Sequence, residues 1–216
     1  MNQIFDYPDL WVEALIGTLV LFFAGGAIAL VLGFLVGAMR VSPVPIARAV
    51  GTLYVNTIRN TPLTLVLFFF AFAVPLLFPV PRGSFLLLAI LGLGIYTATY
   101  VAETIRSGIN TVPIGQAEAA RALGMGFGQV MGYVVLPQAA RSVIPPMMSV
   151  LIALLKNTTV ASGFSVVNLG NIRANMSENG ENQMVTILLV MAVFVALVLL
   201  LAWLQRTLEN KWRVAR

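Results

Sequence analysis

A stretch of the chain from Ala14 to Met39 carries no charged residue. About 20 consecutive apolar residues form a helix long enough to cross the hydrocarbon core of a bilayer. Over the whole chain, 59% of the residues are hydrophobic and 10% are charged, against about 25% charged residues in an ordinary soluble domain. Such a chain cannot cover itself with polar surface in water. The bilayer is therefore its expected solvent, and membrane lipid its immediate surroundings.

Charged residues divide the rest of the chain into further apolar runs. The pattern predicts an all-α, polytopic membrane protein with five transmembrane helices. The expected spans cover about residues 14–39, 62–81, 84–103, 143–165 and 184–205. Pro75, Pro79 and Pro81 are expected to end the second span, and the fourth contains two prolines and one lysine.

The polar segments between these runs define the rest of the organisation. Residues 1–13 are expected to form an extracytoplasmic N-terminus that is not a cleaved signal, because its first charges are acidic. Residues 14–208 would form the transmembrane domain, with a long cytoplasmic loop at 104–141, and residues 209–216 a cytoplasmic tail.

The composition also excludes several classes of function. The chain has no cysteine and no histidine, which removes disulfides, thiol chemistry and almost every transition-metal site. It has no phosphate-binding loop of the Walker type, so no catalytic residue, metal site or ATP site of its own is expected. The net charge of +5 comes from scattered basic residues rather than a basic face, so nucleic acid is not an expected partner.

The distribution of arginine and lysine predicts the orientation in the membrane. With the C-terminus in the cytoplasm, ten basic residues lie inside and two, Arg82 and Arg173, lie outside. The ten are Arg40, Arg48, Arg59, Arg106, Arg121, Arg141, Arg206, Lys211, Arg213 and Arg216. The opposite orientation would reverse this split, so we expect the N-terminus outside and the C-terminus inside.

The long loop contains a spaced motif on the side predicted to be cytoplasmic. Glu118-Ala119-Ala120 is followed by three residues and Gly124, and after nine more residues by Val134, one residue and Leu136-Pro137. This spacing resembles the EAA signature of the permeases of binding-protein-dependent ABC importers. The resemblance implies an all-α importer transmembrane domain in which Glu118, Ala119, Ala120, Gly124, Leu136 and Pro137 couple the permease to an ATPase.

Other segments extend the resemblance to the polar amino acid permeases of this class, and to their glutamate-uptake branch. Arg59-Asn60-Thr61-Pro62-Leu63 is similar to an Arg-Gly-Thr-Pro-Leu stretch of these permeases, and Leu155–Thr159 is similar to their Lys-Asp-Thr-Ser stretch. Asn60 replaces the usual glycine, and Asn157 replaces the usual aspartate. The resemblance implies a permease for polar amino acids, most closely glutamate.

The same resemblance implies the partners of the chain. They are two ABC ATPase subunits that carry ATP-Mg, a second permease copy or paralogue, and an extracytoplasmic substrate-binding protein. The chain itself would bind no cofactor. A short helix with Ala119 and Ala120 allows close approach to the ATPase, Glu118 can pair with it or cap the loop, and Gly124 permits the turn that follows.

Lys156 is the one charge inside a predicted span, and ionisable groups at such depth usually line a cavity or pair with a partner. Its predicted depth differs from that of Glu103, so we hypothesise that Lys156 faces the translocation cavity and attracts a substrate carboxylate. Snorkelling to the outer interface and contact with the partner permease are the alternatives. Asn157 and Thr158 belong to the same predicted substrate pathway.

Arg59, Asn60 and Thr61 are also candidates for the substrate pathway, although they equally suit an N-terminal cap and a positive-inside anchor at the start of the second span. Glu103 and Arg106 are expected to pair on one helix face. Ala29, Gly33 and Gly37 form a small-residue stripe that predicts close helix packing.

Two other functions remain open from the sequence. An ion-coupled secondary transporter would need repeated halves with broken helices, which the sequence does not suggest. A non-transporting membrane scaffold would make the EAA spacing accidental.

Overall fold

The computed structural model describes residues 3–81 and 83–212, and these residues are predominantly helical. The helices in the first part of the chain are α1 (Gln3–Asp6), α2 (Pro8–Val41), α3 (Pro45–Arg59), α4 (Leu63–Leu77), α5 (Phe85–Asn110) and α6 (Ile114–Ala122). They are followed by α7 (Phe127–Phe164), α8 (Ile172–Glu178) and α9 (Gln183–Trp212). By length and composition, α2, α5, α7 and α9 can each cross a membrane, and the bent pair α3–α4 supplies a fifth candidate span. The predicted all-α class is confirmed.

The helices extend beyond several of the predicted spans. α2 begins at Pro8 rather than near residue 14, α5 continues to Asn110 rather than ending at 103, and α7 begins at Phe127 rather than at 143. The connection expected at 104–141 is therefore too long, because only residues 111–126 separate α5 from α7. Charges mark where a helix leaves the hydrocarbon, but hydrogen bonding continues the helix into the aqueous region.

Close packing of α2 against α5 forms the frame of the molecule. Ala29 is fully buried, and a Cβ built on Gly33 would lie 2.4 Å from Cβ of Val101. A Cβ on Gly37 would lie 3.1 Å from Cβ of Ile105. The close packing predicted from the small-residue stripe is confirmed, since larger side chains at these positions would push the two helices apart.

The second span is short and sharply bent. α3 and α4 meet at 98°, at the break formed by residues 60–62. The hydroxyl of Tyr54 on α3 donates a hydrogen bond of 2.6 Å to the carbonyl of Ile95, which fastens α3 across α5. The expected end at Pro75 is wrong, because Pro75 lies inside α4 and the helix ends at Leu77. Pro79 follows the end of the helix, where it cannot continue the backbone hydrogen bonding.

Prolines within α4 and α7 are accommodated by wider turns. A π-helical turn at Phe69–Ala73 precedes Pro75, and another at Val130–Val135 precedes Pro137. Proline has no backbone N–H and its ring clashes with the carbonyl four residues earlier. A π turn removes that conflict without ending the helix, so the chain stays helical across both sites.

The connection after Lys156 returns the chain across the N-terminal part of α2. The last part of α7, Thr158–Phe164, is a 3₁₀ turn, and Ser165 adopts a left-handed backbone with φ of 57°. The backbone N–H of Leu169 donates to the hydroxyl of Thr18 at 3.0 Å. A Cβ on Gly17 would lie 2.0 Å from the carbonyl oxygen of Val167, so the loop contacts α2 at a residue with no side chain.

α9 lies at the edge of the molecule. Its most apolar window has a mean hydropathy of 3.2, yet only 6% of that window is buried inside the chain. A helix that is apolar on all sides and exposed is suited to lipid rather than water. The peripheral position of α9 thus agrees with the membrane as solvent.

We expect Gly33→Ala to destabilise the protein, because the added methyl group would lie 2.4 Å from Cβ of Val101. Overpacking of this kind costs about 1–3 kcal/mol. Gly26→Ala on the same helix is the matched control, since its nearest neighbour is the Leu154 Cδ2 atom at 3.5 Å. Thermal unfolding of the detergent-purified variants measures the difference. Equal midpoints for both variants would contradict the packing argument.

Candidate functional site

The two halves of the EAA spacing fold as one unit. Ala120 on α6 is 6% exposed and packs with Val130 and Val135 at the start of α7. The side-chain amide of Gln138 donates to that of Gln116 at 2.5 Å, which ties α6 to the segment that follows Pro137. The residues between the two halves of the motif form the turn that folds α6 back onto α7, which explains the long spacing.

Only part of the motif faces outward. Glu118 and Ala119 are exposed, whereas Ala120 is buried against the chain itself. We expected Ala120 to be small so that an ATPase could approach closely. The structure gives another reason, because Ala120 packs α6 against α7. The described residues provide no ion pair for Glu118, so its carboxylate is free for a partner.

Gly124 makes the turn between the two helices. Its φ is +81°, a left-handed conformation that glycine adopts without strain, and a Cβ there would meet no atom within 4 Å. The backbone N–H of Gly126 then donates to the side-chain oxygen of Gln129 at 2.9 Å and starts the next helix. The left-handed backbone conformation therefore favours glycine at position 124, whereas a side chain there would not clash with neighbouring atoms.

A set of large apolar side chains surrounds this turn. Ile114 is 76% exposed, Leu123 84% and Phe127 54%, while Leu136 and Pro137 are also exposed. The turn links two transmembrane helices and lies beyond their apolar parts, where exposed apolar surface of this kind marks a protein contact. The arrangement offers a projecting, partly apolar handle to another subunit.

The predicted pathway residues on α7 lie in three different environments. Lys156 is exposed, Asn157 is half-buried, and Thr158 is fully buried, with its hydroxyl donating to the carbonyl of Leu155 at 2.7 Å. Thr158 is thereby engaged in ending the regular helix. Asn157 lines a cavity, and Lys156 lies one residue away on the outward face of α7.

A polar cavity separates the middle of α5 from α7. It has a volume of about 420 Å³, and Asn157 lines one end of it. Its walls are Tyr96, Thr97, Tyr100, Ser149, Val150, Ala153, Leu154 and Asn157. We call it the outer cavity, because it lies nearer the side that the charge distribution predicts to be outside. The hydroxyl of Thr97 is buried and has no hydrogen-bond partner within the described chain, which is typical of a group that faces a ligand or water.

A second cavity continues the first toward the EAA segment. It has a volume of about 280 Å³ and shares Tyr100 and Val150 with the outer cavity. Its other walls are Arg59, Glu103, Thr104, Ser107, Gly108, Thr111, Ser142 and Pro146. We call it the inner cavity. The two cavities form one polar groove along α5 and α7.

Glu103 is the centre of a charge cluster beside the inner cavity. Its two carboxylate oxygens accept from Arg40 and Arg106, each at 2.5 Å, and Arg59 lies at 3.9 Å. The predicted pairing of Glu103 with Arg106 is confirmed. The sequence did not suggest Arg40, whose side chain is 8% exposed, because it lies on another helix. Arg40 connects α2 to α5 at this depth.

The side chains of Arg59, Asn60 and Thr61 do not cap the start of α4, contrary to the N-terminal cap expected from the sequence. The Asn60 amide donates to the carbonyl of Asn56, and the Thr61 hydroxyl donates to that of Thr57. Both side chains therefore finish α3, and the residue before α4 is Pro62. Asn60 has φ of −85°, so glycine is not needed at this turn. Arg59 lines the inner cavity.

Along one side of α7, small and polar residues remain exposed. They recur at alternating spacings of four and three residues: Ser142, Pro146, Ser149, Ala153 and Lys156. The first four line one or other cavity, so the groove opens on this face of the single chain. Lys156 lies next to Asn157 at the end of this face that borders the outer cavity, and Arg59 lines the inner cavity.

The comparisons with known proteins place this architecture. Residues 4–214 match the family described as binding-protein-dependent transport system inner membrane components. The chain belongs to this family. It is 44% identical over 197 residues to the glutamate transport system permease protein GluC of Corynebacterium glutamicum, covering 87% of this chain and 83% of that protein. It is 35% identical to the glutamate/aspartate import permease protein GltJ of Escherichia coli K12, covering 70% of this chain and 66% of that protein.

A solved structure supports the same conclusion. The crystal structure of an amino acid ABC transporter with histidines matches with a TM-score of 0.89 at 27% identity, over 97% of both chains. The chain is accordingly a membrane permease subunit, a translocation component rather than an enzyme. Membership also implies an ATPase and a substrate-binding protein as partners. It does not favour the ion-coupled carrier or the scaffold.

Glu103→Gln is expected to destabilise the permease, because it leaves Arg40 buried without a counter-charge. Removing one partner of a buried ion pair costs about 3–5 kcal/mol, and the partial exposure of Glu103 favours the lower end. Thermal unfolding and the amount of protein recovered from membranes measure the effect. Glu178→Gln, an exposed carboxylate, is the control and should unfold as the unaltered protein does.

Proposed function

We propose that this chain is the glutamate-translocating permease subunit of an ATP-driven, binding-protein-dependent importer. The observation that carries the proposal is its 44% identity, over 87% of the chain, to a permease protein of a glutamate transport system. A second relative with 35% identity is an import permease for glutamate and aspartate. The substrate is therefore an acidic amino acid.

The groove between α5 and α7 supports this substrate class. Glutamate brings two carboxylates, and the pathway carries Lys156 at its outer end and Arg59 at its inner end without a carboxylate in the outer cavity. Asn157 stands where the resembling permeases have aspartate, so the lysine keeps its positive charge uncompensated by its neighbour. Asn157 and the hydroxyls of Tyr96, Thr97 and Ser149 can hydrogen-bond the zwitterion.

The exposed groove also supports a second permease. A single chain leaves the small and polar face of α7 open, so a second copy or a paralogue would close the pathway. Two ATPase subunits with ATP-Mg would then bind the two coupling handles on the cytoplasmic side. A substrate-binding protein would deliver glutamate from outside.

The orientation follows from the distribution of charge. We propose that the N-terminus lies outside and the C-terminus in the cytoplasm, so that residues 104–141 contain the cytoplasmic coupling segment within a transmembrane domain of residues 14–208. The acidic residues near the N-terminus and in the connection before α9 would face outward. Glu118, Ala119, Gly124, Leu136 and Pro137 would contact the ATPase or hold the coupling turn, while Ala120 seats α6.

We expect Gly124→Val to uncouple uptake from ATP hydrolysis. A β-branched residue is strained at φ of +81°, by more than about 1–2 kcal/mol, and the handle would change its direction. Uptake should fall at least about tenfold, and less ATPase should co-purify in mild detergent. Gly163→Val is the control, because that glycine has ordinary φ and open space around it. Unchanged uptake and co-purification in Gly124→Val would contradict a coupling role.

Glutamate uptake by the assembled system tests the function directly. Cells that express the permease with its ATPase and binding protein should take up labelled glutamate, and vanadate should inhibit the uptake. Uptake that resists vanadate but collapses with the ion gradient would instead indicate a secondary transporter. Absence of glutamate uptake in an assembled complex would overturn the substrate assignment.

Asn157→Asp should then lower glutamate uptake more than glutamine uptake, since it adds a negative charge to the wall of the outer cavity. At about 4 Å and an effective dielectric constant of about 20, two like charges repel by about 4 kcal/mol, so at least a tenfold loss of apparent affinity is expected. Asn179→Asp, on the exposed outer surface, is the control. An equal loss for both substrates would contradict the electrostatic argument.

A further inference from the structure

The inner cavity is lined by an arginine, Arg59, that forms no hydrogen bond to the nearby carboxylate. Glu103 has two carboxylate oxygens, and each already accepts a close bond of 2.5 Å, one from Arg40 and one from Arg106. Arg59 lies 3.9 Å from the same carboxylate, which is too far for a hydrogen bond. The cluster holds three guanidinium groups against one carboxylate. Arg59 is the surplus cation.

The position of Arg59 is fixed without using its hydrogen-bond donors. Its guanidinium carbon lies 5.4 Å from the centroid of the Tyr100 ring, a cation–π contact through the face of the ring. No side-chain donor of Arg59 has an acceptor within hydrogen-bond distance in the described part of the chain. Its side chain is 45% exposed and lines the inner cavity. The donors of a held guanidinium thus remain available.

The surrounding walls suit a small zwitterion. Thr104, Ser107 and Ser142 bring hydroxyl groups to the inner cavity, and the Thr111 hydroxyl already bonds that of Ser142 at 3.0 Å. Guanidinium matches a carboxylate through two parallel hydrogen bonds, and such charge-assisted bonds are stronger than neutral ones. The hydroxyl oxygens of Thr104 and Ser107 can accept hydrogen bonds from an ammonium group.

We infer that the inner cavity is a second binding station for the substrate, in which Arg59 binds a carboxylate of the amino acid on its way to the cytoplasm. The inference rests on the proposed function and adds a site that is distinct from the outer cavity beside Lys156 and Asn157. Tyr100 and Val150 line both cavities, and the hydroxyl of Tyr100 pairs with that of Tyr96 at 2.9 Å. The substrate passes this tyrosine pair between the two stations.

The station lies within reach of the cytoplasmic side. From Asn157 to Ser142 the groove follows 15 residues of α7, or about 22 Å at about 1.5 Å per residue. The inner cavity occupies the end of this path nearest the coupling turn. Glutamate inside the cell therefore reaches Arg59 when the permease is open inward.

The test uses the absence of cysteine in this chain. Ser107→Cys introduces one thiol at an exposed position on the wall of the inner cavity. The complex with its ATPase, nucleotide-free in nanodiscs, is treated with a soluble maleimide, and labelling of this chain is followed with and without glutamate. We expect glutamate to slow labelling severalfold. In the double variant with Arg59→Gln, protection should need about tenfold more glutamate.

Matched variants keep the interpretation specific. Arg48→Gln removes an exposed arginine on the same helix, whose bonds go to the carbonyls of Ser42 and Pro43, and should leave protection unchanged. Arg59→Lys keeps the charge without the planar fork, so protection should be intermediate, and it replaces Arg59→Gln if that variant fails to assemble. Ser177→Cys, on the far side of the membrane, should label at the same rate with and without glutamate.

The outcomes separate this site from the proposed function. If the unaltered importer takes up no glutamate, the proposed function fails and this inference fails with it. If uptake is normal but glutamate leaves the labelling of Ser107→Cys unchanged, only the inner station is overturned. Full protection with both Arg59→Gln and Arg59→Lys would likewise overturn the role of Arg59.

Discussion

The close packing of α2 on α5 is the contact on which the rest of the structure depends. Glycines on α2 let its backbone approach Val101 and Ile105, and the groove-lining face of α5 is held in position as a result. Lipid is as apolar as the side chains, so helix association in a membrane relies on close fit and polar bonds rather than on the hydrophobic effect. Both are present here, since Arg40 reaches from α2 to Glu103 on α5.

The Glu103 cluster serves two purposes at once. It supplies the polar bond that joins α2 to α5, and it sets the positive surplus of the inner cavity. A buried charge must be paired, which explains the two short bonds. The same pairing uses both carboxylate oxygens, so Arg59 remains beside the pathway. The Glu103 carboxylate therefore affects both the packing of α2 on α5 and the net positive charge beside the inner cavity.

The EAA segment leads directly into one wall of the groove. The turn at residues 123–126 lies at the start of α7, and α7 carries the small and polar face of the groove along its length. In the proposed function, a change in the direction of the handle would be applied directly to a wall of the groove. The π turn before Pro137 lies between the two, where the helix departs from regular hydrogen bonding and is easier to bend.

The amino-acid sequence by itself determined the solvent, the helical class and the membership of a permease family. Apolar length, scarcity of charge and a motif with fixed spacing are local or linear properties, and they need no knowledge of which helices touch. The pairing of Glu103 with Arg106 could equally be predicted from the sequence, because the two residues lie one helical turn apart. The ends of the helices were harder to predict from the sequence, because backbone hydrogen bonding continues past the charges that were used to mark them.

Only the tertiary structure decided which residues form the groove. Arg40 and Glu103 lie on different helices, as do Tyr100 and Val150, and no sequence spacing relates them. Ala120 reads as a contact residue in the motif, yet it is buried by the return of α7. Asn60 and Thr61 read as a helix start, yet their side chains finish the preceding helix. These outcomes depend on how helices cross and bend, which is set by packing between segments distant in the chain.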